Sequence, residues 1–304
     1  MKEFRPHNIL CAVDLGPTTA NVLAWAARLA AAFGGRLDVV HAHWWELPDY
    51  FTATQMERLL AEIRRARKKL EEELRKLVAE TAGDGVPAQV HVIEAPPVNA
   101  ILERAKQWPA DLVVVGSHGR TGLARFVLGS VSESVLHHST VPTLVGRNQP
   151  PASDGRLLCP VTLTPESLVA LGAAAEIARK LQAELAVLHV VEADGADLKA
   201  EHDRLCAAVP ESVRQQCTLQ EQVRSGRPAE QIVLAARELK TDLIVLAAAR
   251  RQFLEWTALG VTTDRILRYS PCSVLVLPPE TDAALPSPEP ESGGSQARQN
   301  PPGR

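Results

Sequence analysis

Short apolar runs recur along the chain at residues 9–13, 37–41, 90–93, 112–115 and 143–145, and the stretches between them return to apolar residues every three or four positions. Runs this short and this continuous predict strands covered on both faces, and the helical period between them predicts crossover helices. The first helix follows Thr18 and Thr19, either of which is expected to cap it, carries Val22, Leu23, Ala26, Ala27, Leu29, Ala30 and Phe33 on its buried stripe, and ends at Gly34-Gly35. Residues 56–78 predict a long amphipathic helix with Met56, Leu59, Leu60, Ile63, Leu70, Leu74 and Leu77 inward. Its Arg64, Arg65, Arg67, Lys68 and Lys69 precede Glu71, Glu72 and Glu73 at about one turn, the pattern of a solvated face with ion pairs rather than a nucleic-acid patch. Helices over 98–106 and 130–138 complete the alternation. Strand and helix in turn imply an α/β fold with a parallel sheet and right-handed crossovers.

The pattern then starts again. ILCAVD at 9–14 returns as LLCPVT, and VVHAH at 39–43 as VLHVV, both 148 residues later; DLVVVG at 111–116 returns as DLIVLA, and Leu128-Gly129 as Leu259-Gly260, both 131 residues later. The second copy is therefore 17 residues shorter between its second and fourth strands, mostly in the region of the long helix. A repeat of this length means duplicated domains. The expected organisation is a first domain at 1–147, a linker at 148–155 (NQPPASDG), a second domain at 156–278 and, at 279–304, a tail rich in Pro, Ser, Gly and Glu that lacks the apolar residues needed to order itself.

Composition narrows the function. The 304 residues carry a formal net charge of −3, which offers no basic surface for nucleic acid or anionic lipid. Cys11, Cys159, Cys206, Cys217 and Cys272 are odd in number, far apart and without C-x-x-C or Cys/His zinc spacing, so no metal site is expected. Three of them fall in or beside apolar strands, where reduced thiols fit a cytoplasmic protein. The start MKEFRPHNIL has no apolar signal core, and no apolar run reaches the ~18 residues of a membrane span, so neither secretion nor membrane insertion is expected.

The chemistry concentrates in DLVVVGSHGRTGLARFVLGSVS, residues 111–132: a buried strand, a loop with Gly116 and Gly119, and Gly129-Ser130 opening a helix. Glycines that let the backbone approach, unpaired N–H groups at a helix start, and the hydroxyls of Ser130 and Ser132, either of which is also expected to cap the helix, suit an anion such as phosphate. The spacing G-x2-G-x9-G-S differs from the Walker loop, with no lysine between Asp111 and Ser132, and from the G-x-G-x-x-G dinucleotide turn. The bland alternative is a set of glycines that only shape a surface loop. In a doubly wound sheet of order 3-2-1-4-5, the crevice lies at the carboxyl ends of strands 1 and 4, where Asp14 and Gly116 converge. Asp14 there can serve ribose hydroxyls or a divalent ion, or only cap the next helix.

GSHGRTGL followed by LGSVSESVLHHSTVPTLV resembles the signature of the universal stress protein family in its ATP-binding branch. That resemblance implies two tandem doubly wound parallel five-stranded sheets, of the adenine-nucleotide alpha-hydrolase-like kind, joined as an intramolecular pseudo-dimer by pairing of 143–145 with 274–277. It implies ATP, with Mg2+, held by Ala12, Asp14 and Ala42 around adenine and ribose, by Val115, Gly116, His118 and Gly119 under the phosphates, and by Gly129, Ser130, Val131 and Ser132 in the phosphate turn. Arg120 and Arg125 are candidate phosphate cations or exposed loop residues. The second copy has Thr162 for Asp14, Ala247 for Gly116, Arg250 for Gly119 and Val261 for Ser130, and keeps only Gly260 for Gly129. Two or three lost hydrogen bonds at roughly 1.5–3 kcal/mol each would remove ATP binding there. The expectation is a stress-response sensor or regulator that binds ATP in its first domain, as a monomeric pseudo-dimer or a homodimer, with unidentified protein partners. No catalytic base, lysine or paired carboxylates stand out, which leaves a slow ATPase or nucleotidyl transferase as one alternative. A nucleotide-free scaffold using the aromatic segment Trp44, Trp45, Tyr50 and Phe51 is the other.

Overall fold

A computed structural model of the chain describes residues 4–44, 52–117, 128–193, 195–248 and 260–279. The first half runs β1 (Asn8–Ala12), α1 (Thr19–Phe33), β2 (Arg36–Ala42), α2 (Ala53–Ala82), β3 (Ala88–Ile93), α3 (Pro97–Gln107), β4 (Leu112–Gly116), α4 (Ser130–His138) and β5 (Thr143–Gly146). The second runs β6 (Arg156–Val161), α5 (Pro165–Leu181), β7 (Glu184–Val191), α6 (Leu198–Ala208), α7 (Glu211–Arg214), β8 (Leu219–Ser225), α8 (Pro228–Glu238), β9 (Leu243–Ala247), α9 (Val261–Tyr269) and β10 (Ser273–Leu277). The shorter second copy replaces the 30-residue α2 with α6 and the four-residue α7.

The ten strands of the described residues join one sheet of order β3-β2-β1-β4-β5-β10-β9-β6-β7-β8, so each half shows the 3-2-1-4-5 winding. Pairing is parallel within each half and antiparallel at the seam, where Val274, Leu275 and Val276 oppose Val145, Leu144 and Thr143. Alternation along the strands supplies two cores. Ile9, Cys11, Leu112 and Val114 face the layer of α1, α2 and α5, whereas Leu10, Val113 and Val115 face the layer of α3, α4, α8 and α9. Because both faces are covered, the strands need apolar residues at consecutive positions, which is the pattern seen in the sequence.

The ends of the elements are set by local chemistry. Gly34 closes α1 in the left-handed region at φ 64°, where a Cβ would be strained. Asp111 Oδ2 accepts from the backbone N–H groups of His7 and Asn8 at 3.0 and 2.9 Å and so aligns the starts of β1 and β4. Asp242 repeats this with Arg156 N–H at 2.8 Å. On α2, the solvated face carries Lys69–Glu73 and Arg75–Glu71 pairs one turn apart. Its start lies three residues before the apolar stripe, because Thr52 and Gln55 form a reciprocal capping box.

Two expected caps are not made. Thr18 occupies the cap position of α1 without a side-chain capping bond, while Thr19 Oγ1 donates to Asp14 Oδ1 at 3.3 Å. At α4 the cap is Gly129, again with no side-chain bond; the Ser132 hydroxyl donates instead to the Gly116 carbonyl. Both hydroxyls are used to tie a strand end to the following helix, not to close the helix on itself.

The linker is built into the seam. Asn148 Oδ1 accepts from Ser273 N–H and Oγ–H, each at 2.7 Å, its Nδ2 donates to Asp242 O at 3.1 Å, and its carbonyl accepts the Trp25 indole N–H at 2.8 Å. One side chain and its carbonyl thereby join α1, β10 and the start of β9.

Candidate functional site

A cleft of about 230 Å³ opens at the carboxyl ends of β1 and β4 in the first half. Its walls include Ala12, Asp14, Ala42, Val115, Gly116, Gly129, Ser130, Val131 and Ser132, nine positions singled out from the sequence. His118 and Gly119, with Arg120 and Arg125, lie outside the described residues, as do Trp45, Tyr50 and Phe51. Trp44 is described and is 56% exposed.

The cleft lining is of two chemical kinds. Val13, Val40, Ala42 and Val115, at the ends of β1, β2 and β4, form an apolar slot with Val22 of α1 and Ile101 of α3. The start of α4 supplies polar groups. Its first intrahelical bond runs from Glu133 N–H to Gly129 O at 2.9 Å, so the N–H groups of Ser130, Val131 and Ser132 have no acceptor within the helix. Ser130 is exposed there and offers a hydroxyl beside those donors. Gly129 N–H is fixed to Ser117 O at 2.9 Å and Ser117 N–H to Gly146 O at 3.2 Å, which anchors the approach to this turn against β5.

Asp14 is the one ionisable side chain on the described wall of the cleft. Its Oδ1 accepts from Gly16 N–H at 2.9 Å as well as from Thr19, folding the β1–α1 loop back on itself. Leu15 between them has φ 61°, a strained conformation for a branched side chain. Beneath the loop the buried His41 ring meets Val13 O through Nδ1 at 2.8 Å; a carbonyl only accepts, so Nδ1 carries the proton.

The second half keeps this frame and changes its chemistry. Leu163 has φ 61° like Leu15, and His189 Nδ1 meets Val161 O at 2.9 Å as His41 meets Val13 O. Thr162 replaces the carboxylate and faces Thr164 Oγ1 at 3.2 Å. Val261, 53% exposed, stands where Ser130 stands on α4, and Arg250 lies outside the described residues.

The sequence had singled out neither Thr19 as the partner of Asp14 nor Val13, Val22, Val40 and Ile101 as lining. The apolar four read as core because that is also what they are. A threonine five residues beyond Asp14 was a signal, since a helix start folded back on a strand end brings those positions together.

Comparison with known proteins gives a consistent picture. The family model described as "Universal stress protein family" matches residues 6–147 and again 155–278. Among curated relatives, a universal stress protein of Mycolicibacterium smegmatis is 30% identical over 197 residues, covering 60% of this chain and 64% of its own length. Universal stress protein YxiE of Bacillus subtilis is 32% identical over 146 residues, 46% of this chain and 99% of its own. Universal stress protein MJ0531 of Methanocaldococcus jannaschii is 44% identical over 61 residues, 20% of this chain and 36% of its own. The chain thus spans less than two thirds of the M. jannaschii and M. smegmatis relatives. Among solved structures, a universal stress protein from Archaeoglobus fulgidus superposes with a TM-score of 0.68 at 22% identity, over 90% of this chain and 98% of that one, a likeness of fold.

Proposed function

The chain belongs to the universal stress protein family, and from that premise we propose that its first-half cleft binds ATP, that the second half does not, and that the chain acts as a nucleotide-dependent sensor or regulator in the stress response. The observation that carries this reading is the pairing of an apolar slot with the uncapped start of α4 in one cleft. The slot suits a purine, and Asp14 at its rim suits ribose hydroxyls. The N–H groups of Ser130, Val131 and Ser132 suit phosphate oxygens. The helix dipole contributes only about 0.3–2 kcal/mol, so the apolar contacts must supply much of the roughly 8 kcal/mol of micromolar affinity. Mg2+ would travel on the phosphates: among the described residues no group of three or more His, Cys, Asp or Glu side chains is placed to hold a metal ion.

Calorimetry with ATP and Mg2+ on the intact chain tests this. We expect one site per chain, and a loss of at least about tenfold in Gly119→Arg, which introduces the second half's residue. No heat of binding from the intact chain overturns the reading. Two equal sites overturn the restriction to the first half.

A further inference from the structure

The seam brings a cation of the second half against the helix that opens the phosphate end of the cleft. Arg268 on α9 donates through Nη2 to Glu133 Oε1 at 2.9 Å, and through Nε to both oxygens of Asp264 at 3.0 and 3.1 Å. Glu133 lies in the first turn of α4, directly after the three N–H groups assigned to phosphate. Its side chain is 34% exposed and that of Arg268 31%, so solvent only partly screens the pair.

The internal repeat shows what is unusual here. Asp264 occupies on α9 the position that Glu133 occupies on α4, and α9 provides the compensating cation itself, four residues on, as Arg268. The residue four positions after Glu133 is His137, whose Nδ1 is buried without a hydrogen-bond partner among the described residues. The only cation paired with Glu133 among the described residues therefore comes from the other half.

A carboxylate in the first turn favours the helix, since it lies at the positive end of the dipole. The same carboxylate repels an anion bound at that end. Pairing it across the seam draws the carboxylate toward α9 and offsets part of its charge, weakening that repulsion together with part of the dipole interaction. We propose that Arg268 is a positioning residue for the anion end of the cleft, holding Glu133 aside and offsetting part of its charge so that the second half, without binding nucleotide, tunes the first half's affinity for phosphate. This rests on the ATP-binding reading above.

The test compares ATP with adenosine by calorimetry on the full chain, for the native sequence, Arg268→Ala, Arg268→Lys and Glu133→Gln with Arg268→Ala. Arg268→Ala should weaken ATP by about fivefold and adenosine by less than about twofold, and the ATP loss should shrink at high salt. Arg268→Lys should recover most of the affinity, and the double variant should return ATP to within about twofold of native by removing the carboxylate on α4, with Asp264 of α9 left unpaired in both alanine variants. Equal losses for ATP and adenosine would make Arg268 a structural clamp and overturn the proposal, as would unchanged ATP binding in Arg268→Ala. If the alanine variant does not fold, the test passes to Glu133→Gln alone against Arg268→Lys, where a weaker ATP-to-adenosine ratio in the former has the wrong sign and is fatal. A native chain that binds neither ligand overturns the binding reading itself, an outcome distinct from the others.

Discussion

Cys11 and Cys159 have no exposed surface and Cys272 only 2%. Burial pushes all three thiols up, Cys272 from 9.0 to about 12 despite its hydrogen bond with Ser270. Between those values the folded chain keeps a proton that the unfolded chain releases. The stability these thiols confer is therefore fully present below pH 9 and falls as pH rises, by up to about 1.4 kcal/mol per pH unit for each. Urea unfolding at pH 8 and about 10.5 checks this: Cys272→Ala should show a shallower fall than the native chain, and identical slopes would refute it. The burial of these cysteines was legible because each sits in or beside an apolar run. The use of Ser132 was not. Its hydroxyl reaches the Gly116 carbonyl across sixteen residues, a contact made only once β4 and α4 have met, whereas sequence rules for serine describe its nearest backbone neighbours.

Among the elements, the turn from β1 into α1 carries the most constraint. Leu15 is held at φ 61° while Asp14 accepts from Gly16 and Thr19. A Cβ on Gly16 would stand 2.9 Å from Asp14 Oδ2 and 3.0 Å from Oδ1, too close to leave the carboxylate in place. Gly16→Ala should displace Asp14 from the cleft and weaken ATP by about tenfold or more, the equivalent of one hydrogen bond to a charged group at roughly 1.5–3 kcal/mol. Calorimetry reads the affinity, and circular dichroism should show the helix content unchanged; undiminished affinity would place Asp14 outside the site. The strands and helices of the first half were legible nearly end to end, since periodicity reports which faces are covered. The strain at Leu15 was not, because nothing in a Leu-Gly dipeptide distinguishes a left-handed leucine from an ordinary one, and its recurrence at Leu163 emerges only in three dimensions.

At the scale of the molecule, the ten-stranded sheet depends on a seam of three residue pairs supported by Asn148. Ser273, wholly buried, loses both its backbone and hydroxyl acceptor in Asn148→Ala. Each buried polar group left unsatisfied costs about 1–3 kcal/mol. That substitution should therefore lower the unfolding free energy by about 2–5 kcal/mol in urea titrations, or separate the melting into two steps, and a shift within about 0.5 kcal/mol would show the junction to be incidental. The duplication and the meeting of β5 with β10 were legible from repeated strings and the family likeness. The role of Asn148 was not, because a polar residue before Gln-Pro-Pro looks like any solvated linker until the strands on either side are placed.

That seam also changes what a substitution means. Where two identical chains pair, every change in the sequence appears on both sides of the interface and in both clefts. Here the partners are consecutive lengths of one polypeptide, held at an effective concentration of about millimolar whatever the dilution. Assembly no longer requires the two copies to stay alike. Thr162 and Val261 change the second copy and leave Asp14 and Ser130 of the first untouched. The fold thus keeps twofold architecture while each half is free to change its own residues without changing the other's.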